Sequence, residues 1–330
     1  MRLDWQTFTL ELAHPFRIAH GTSLTRTAVF VDLDGGLGEA AVVPYHGESV
    51  EAVTAYLEAA RGRLADAPST LQGRLARLPR EGSRAARAAL EMALFDLWGR
   101  ALDAPLWRLF GLDPQRAPPT SFTLAVGSPE ELAELAQRSG LPVLKLKVGT
   151  GDDLAALEAV RAARPDARLR ADANGGWNLA QARDLIPELV RLGVEFLEQP
   201  LPPEDRAAYA ELRGRGLPLF ADEPIKTVRD VVEWAPYVDG VVVKLAKSGG
   251  IAPARAQIET ARALGLEVML GCMVETRLAV GAAAHLAPLV EHADLDGPLL
   301  IQNDPFQGLA YDGARLVLPQ GPGLGVRRRV

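Results

Sequence analysis

The chain has 330 residues, 48% hydrophobic and 24% charged, with a formal net charge of −6. That length and apolar content allow one large or two moderate cored units, and an acidic balance without a basic stripe argues against a nucleic-acid partner. One cysteine, Cys272, excludes an internal disulfide and fits a reducing compartment.

The N-terminal run MRLDWQTFTLELAHPF alternates polar and apolar residues like a strand and lacks the continuous apolar core of a signal peptide. No stretch approaches the ~18 apolar residues of a membrane span. A cytoplasmic protein with no membrane partner is expected. Residues 3–12 and 27–33 read as strands, with the turn DGG at 34–36. Helical patterns follow near 48–66 and 84–101. In the second, Leu90, Ala93, Leu94, Leu97 and Trp98 fall at helical spacing and predict one core face. The Pro-bearing stretch GLDPQRAPPT at 111–120 marks a boundary.

Beyond it, short β-rich runs alternate with helical patterns, opening with the capping-box signature of Ser128, Pro129 and Glu131. Polar residues close successive runs at roughly 25-residue intervals, and eight such runs are the pattern of a (β/α)8 barrel. An open doubly wound sheet would carry a Gly-rich phosphate turn after an early strand, and none stands there.

The runs LRADAN, FLEQP and LFADEP put Asp172, Glu198 and Asp222 at consecutive strand ends, which in a barrel share the C-terminal rim. Any one alone reads as a helix cap or an arginine's partner. Three converging carboxylates repel unless a cation sits among them, and Mg2+ suits an all-oxygen set. Lys147 closes the strand before this arc and Lys244 the strand after it. Lys145 shares a strand face with Lys147, and two neighbouring ammonium groups lower each other's pKa towards that of a general base. Two bases flanking a bound substrate remove a proton on one face and return one on the other, which is racemisation or epimerisation beside a carboxylate. The competing reading is that these lysines, and Lys247 with them, simply pair with acids.

With KLKVG, DANGGW, EQP, ADEP, KLAKSGG and GCMVET together, the chain resembles the enolase superfamily in its muconate-lactonizing-enzyme-like branch, over almost its whole length. The resemblance implies a modified (β/α)8 TIM barrel over 118–301 and an α+β capping domain over 1–117, to which 302–330 returns. It implies Asp172, Glu198 and Asp222 as Mg2+ ligands, Lys147 and Lys244 as acid/base groups and Lys145 in support.

HADLDGPL places Asp294 and Asp296 near the eighth strand. It is similar to the Asp-x-Asp with which dipeptide epimerases hold a substrate's α-ammonium, and desolvated carboxylates do call for a cation. The expected reaction is Mg2+-dependent inversion of the C-terminal residue's α-carbon in an L-Ala-containing dipeptide. The resemblance places Cys272, Met273 and Val274 along the pocket and side-chain specificity in the loop PFRIAHGTSLTR. Gly21 stands about where family members that take a glutamyl side chain carry arginine, with Arg17, His20 and Arg26 as substitutes, while Tyr45 and His46 form a second loop. The alternatives are an N-acylamino-acid racemase or o-succinylbenzoate synthase on the same scaffold, and a catalytically silent binding barrel. A homo-oligomer is expected.

Overall fold

The computed structural model describes residues 1–18, 21–125 and 127–329, with the backbone alone at Arg17 and Ile18. The N-terminal third folds as an antiparallel sheet in the order β1 (Leu3–Ile18), β2 (Gly21–Leu33) and β3 (Gly36–Val42), followed by helices α1 (Val50–Ala65), α2 (Leu71–Leu75), α3 (Arg84–Ala101) and α4 (Leu106–Leu109). The turn at 34–36 lies where its residues predict it, with Asp34 and Gly35 at positive φ.

Helix α3 differs from the expectation of a single core face. Ala85, Ala86, Ala89, Leu90 and Ala93 pack into the core of this N-terminal layer, while Ala88, Met92 and Phe95 belong to the main core with the barrel. The helix is sandwiched between two layers, and its alanines let both approach. Gly38 shows how closely: a Cβ there would lie 1.9 Å from the Ala89 carbonyl oxygen.

The barrel strands are β4 (Phe122–Leu124), β5 (Val143–Lys147), β6 (Arg168–Asp172), β7 (Val194–Glu198), β8 (Leu219–Ala221), β9 (Gly240–Lys244), β10 (Glu267–Gly271) and β11 (His292–Asp294). They form one parallel sheet in chain order, and a parallel bridge from Thr120 to Ala293 joins its two ends. The connecting helices are α5 (Pro129–Ser139), α6 (Asp153–Ala163), α7 (Leu179–Arg191), α8 (Arg206–Leu212), α9 (Val228–Trp234), α10 (Leu245–Ser248), α11 (Ile251–Ala263) and α12 (Arg277–Ala284). The box at α5 forms as its sequence predicts, Ser128 Oγ accepting from the Glu131 N–H and Glu131 Oε2 from the Ser128 N–H. Phe196, Phe220, Val242 and Met269 make a separate buried cluster contributed by β7 to β10.

After β11 the chain makes a single 3-10 turn at Gly297–Leu299 instead of an α-helix and runs back along β1: Gln302 donates to the Glu11 carbonyl, and Ala13 to that of Leu300. Further on, the Leu324 N–H donates to Asp96 of α3. The α+β layer is thus a cap built from both ends of the chain. None of the helices in the described residues is long and apolar enough to cross a membrane.

Candidate active site

Register fixes the site. Lys147 pairs with Asp172 and Asp172 with Glu198 across β5, β6 and β7, while Gly271 of β10 pairs with both Lys244 and Asp294. Asp222 follows β8 directly. The predicted residues therefore share one rim because parallel strands in register end together.

The two lysines of β5 do share a face. Lys145 Nζ lies 3.0 Å from Asp172 Oδ2, 2.6 Å from Glu198 Oε2 and 2.8 Å from Asp294 Oδ2, and Lys147 Nζ lies 2.6 Å from Asp172 Oδ2. At the far end of the acid arc Lys244 Nζ lies 2.7 Å from Asp222 Oδ2, and Lys247 holds the other oxygen of that carboxylate. The burial of Lys145 and Lys244 is thereby answered by ion pairing, as the competing reading has it.

Burial works to lower the pKa of Lys244, but the Asp222 and Glu198 carboxylates outweigh it and hold the ammonium well above its ordinary value. Lys145 is raised likewise: burial opposes, and Asp172, Asp294 and Glu198 prevail. Acids, not neighbouring ammonium groups, dominate both. Lys247 goes the other way, lowered chiefly by burial.

The acids divide as sharply. Burial pushes Asp172 and Asp222 up, yet the lysines beside each carry both below the usual carboxylate range. Glu198, between them, is pushed up to about 8, first by burial and then by Asp172. Although Lys145 is near, neither Glu198 oxygen has a hydrogen-bond donor. Among the described residues no three metal-binding groups are drawn onto one point, because ammonium groups stand between the acids. A buried carboxylate whose Oε1 has no partner and whose Oε2 meets only the Lys145 ammonium, flanked by two aspartates, is nonetheless an all-oxygen donor set that fits a hard divalent cation.

Asp294 and Asp296 do not play equal parts. Asp294 accepts from Lys145 and, through Oδ1, from Ser121 Oγ at 2.6 Å. Lys145 and the Ser121 hydroxyl hold it below the ordinary range against its burial. Asp296 accepts from the Thr123 N–H at 2.6 Å and, among the described residues, has no cation within ion-pair distance. Burial and then Asp294 push it up to about 7.

A narrow cavity of about 50 Å³ joins these groups, lined by Lys145, Lys147, Lys244, Cys272, Met273, Val274, Asp294 and Asp296. A larger cavity, about 590 Å³, shares Val43 and Met273 with it but is lined by neither Lys147 nor Lys244, and Asp172, Glu198 and Asp222 line neither cavity. The small cavity also takes in Phe16, Arg26, Tyr45, Thr123 and Asn174. Of these, Arg26 and Tyr45 stand among the sequence expectations and Phe16 falls within the expected specificity loop, whereas Thr123 and Asn174 have no role expected from the sequence. The Arg17 side chain and His20 lie outside the described residues.

Supporting contacts also escaped the sequence. Asn174 and Gln199, each just past an acid, sit at φ 45° and 39°, a conformation that disfavours non-glycine residues. The Asn174 N–H donates to Asp172 Oδ1 within its own strand end, and Gln199 Oε1 accepts from the Asp222 N–H, tying the ends of β7 and β8 together. Asp153 accepts from the N–H groups of Gly149 and Thr150 and, at 2.7 Å, from Trp177 Nε1. It joins the loops that follow Lys147 and Asp172. The motifs KLKVG and DANGGW were the available signal, since each ends in a tight Gly-bearing loop.

Comparison with known proteins gives the family context. Residues 5–111 match the mandelate racemase / muconate lactonizing enzyme N-terminal domain, and residues 129–329 match the enolase C-terminal domain-like family. An L-Ala-D/L-Glu epimerase of Bacteroides thetaiotaomicron is 35% identical over 99% of this chain and 88% of its own length. A hydrophobic dipeptide epimerase of Roseobacter litoralis is 33% identical over 98% of each. A dipeptide epimerase from Enterococcus faecalis V583, solved with Mg and L-Leu-L-Tyr, superposes with a TM-score of 0.92 at 28% identity over 98% of each chain.

Proposed function

From the premise that the chain belongs to the mandelate racemase / muconate lactonizing enzyme family of the enolase superfamily, we infer its reaction: it is a Mg2+-dependent dipeptide epimerase, an isomerase that inverts the α-carbon of a dipeptide's C-terminal residue. The observation that carries the assignment of roles is that Lys147, paired with Asp172, and Lys244, paired with Asp222, line one cavity together with Asp296.

Asp172, Glu198 and Asp222 would hold the ion. Bound there, Mg2+ would offset the negative charge that develops on the substrate carboxylate as the α-proton leaves. Lys147 takes that proton on one side of the α-carbon: the C–H bond breaks, its electron pair passes into the enediolate, and Nζ gains the proton. Lys244, as the ammonium, delivers a proton to the same carbon from the other side. The opposite stereoisomer runs the sequence in reverse. Lys145 supports the arc by offsetting charge at Asp172, Glu198 and Asp294 at once.

The substrate's free ammonium binds at Asp296, the carboxylate with no cation of its own among the described residues, with Asp294 behind it. An N-acylated substrate would leave that buried acid unanswered, which disfavours the acylamino-acid racemase and o-succinylbenzoate synthase readings. An L-Ala-containing dipeptide remains the expected class. The cap is assigned to 1–117 with 302–330 and the barrel to 118–301.

The test is a dipeptide library incubated with enzyme and Mg2+ in D2O and read by mass spectrometry and chiral chromatography. Deuterium at the C-terminal α-carbon with loss of stereochemical purity is expected. Faster turnover of the N-acetylated dipeptides would overturn the assignment.

A further inference from the structure

Strand β3 of the cap has two faces with different partners. Gly36 and Gly38 lie against α3 so closely that a Cβ on either would meet the helix backbone, at 2.4 and 1.9 Å respectively. The alternate positions, Glu39, Ala41 and, just past the strand, Val43, face the barrel. Ala41 and Val43 form a small buried cluster with Ala246 and Met273. Two residues on, Tyr45 lines the active-site cavity.

Glu39 ends this stripe away from the cavity and is 1% exposed. Its Oε1 accepts from the Thr276 N–H at 3.0 Å, and its Oε2 from the Thr276 hydroxyl and from the Ala279 N–H at 3.1 Å. The Glu39 carboxyl of the cap therefore occupies the N-terminus of barrel helix α12, where it answers otherwise unpaired N–H groups, while burial and then Glu275 push its pKa up to about 8. Thr276 is the residue at which the wall Cys272–Val274 hands over to that helix. The wall is tied in turn: Glu275 Oε2 accepts from the Met273 N–H at 2.9 Å, and the Cys272 N–H donates to the Asp294 carbonyl at 3.1 Å.

We propose that Glu39 is a positioning residue for the substrate pocket: across the cap–barrel junction it sets the distance between the wall Cys272–Val274 and the cap residues Val43 and Tyr45 that face it. The proposal rests on the reading of this cavity as the dipeptide site. It touches neither Lys147 nor Lys244. Loosening it shifts how tightly a dipeptide is held before it shifts the proton transfers.

The experiment uses Glu39→Ala, Glu39→Gln and Thr276→Val in the full chain with Mg2+, measuring KM and kcat for two dipeptides differing in the C-terminal side chain. It also measures the labelling rate of Cys272, the sole cysteine, by a thiol reagent in the absence of substrate. Removing the carboxylate strands buried donors, so Glu39→Ala is expected to raise KM roughly tenfold with kcat nearly kept, and to speed labelling of Cys272 by a similar factor. Glu39→Gln keeps one acceptor oxygen and falls between. Leu57→Ala, in the cap's own core, supplies a control of comparable thermal destabilisation and leaves both readouts near native at assay temperature.

Unchanged KM and labelling in the Glu39 variants, or equal changes in Leu57→Ala, would overturn the proposal. If Glu39→Ala does not fold, Glu39→Gln and Thr276→Val decide it by the same readouts. If the native enzyme turns over no dipeptide, the functional reading fails on its own, and the labelling rates still judge Glu39.

Discussion

Lys145 Nζ lies 2.8 Å from Asp294 Oδ2, joining the second barrel strand to the eighth across 149 positions of sequence. This pair makes Asp294 part of the charge arrangement at the acid arc and leaves Asp296 as the acid proposed to meet the substrate. Asp296→Asn is therefore expected to raise KM roughly tenfold or more with kcat largely kept. Asp294→Asn also lowers kcat, because Lys145 loses an anionic partner. Steady-state kinetics of both variants on one dipeptide checks this; equal effects on KM alone would count against the division.

Removal of the divalent ion by a chelator should abolish epimerisation, and added Mg2+ should restore it. Mg2+ should also raise the Tm of the native protein by mass action. Glu198 already carries a pKa pushed up to about 8, so Glu198→Gln resembles its neutral form and should fold as well as the native protein without the ion. It should lose the Mg2+-dependent gain in Tm. A scan of Tm against Mg2+ concentration for the two proteins measures this.

Asp153→Ala should destabilise the fold by about 2 kcal/mol, since it strands the buried indole N–H of Trp177 and loosens the half-buried N–H of Gly149. Activity should fall as well, because the loops after Lys147 and Asp172 lose their common tie. Urea unfolding and kcat on the same preparations test both, and a variant as stable as the native protein would contradict the first.

His285 gives a pH dependence with a definite sign. It is fully buried, its Nδ1 accepts from the Trp107 N–H, and its Nε2 therefore carries the proton that goes to the Leu324 carbonyl. Burial lowers its pKa from 6.5 to about 4. Between those values the unfolded chain binds the proton and the folded one does not, so stability is full above pH 6.5 and declines as pH falls towards 4. The contribution is about 3 kcal/mol. Urea midpoints across that window should slope downward with acid, and His285→Gln should flatten the slope.

The rim was legible because its residues violate their surroundings: Lys145 and Lys147 interrupt an apolar strand, and Asp172, Glu198 and Asp222 close apolar strands with charge. Parallel register then brings such ends together without further information. What was not legible depends on docking between distant segments. Glu39 in GLGEAAVV has no local sign of the helix it holds, and Asp294 gives no sign that Lys145 reaches it. The two-sided burial of α3 was hidden for the same reason, since its alanines fit one buried face as well as two.

The most direct test of the central claim is α-proton exchange in D2O by Lys147→Ala and Lys244→Ala, each given the two stereoisomers of one dipeptide separately. Both variants should have lost epimerisation, each should still exchange the α-proton of a single stereoisomer, and the stereoisomer should be opposite in the two. Exchange of both stereoisomers at similar rates by either variant would contradict a mechanism with one lysine on each side of the carbon.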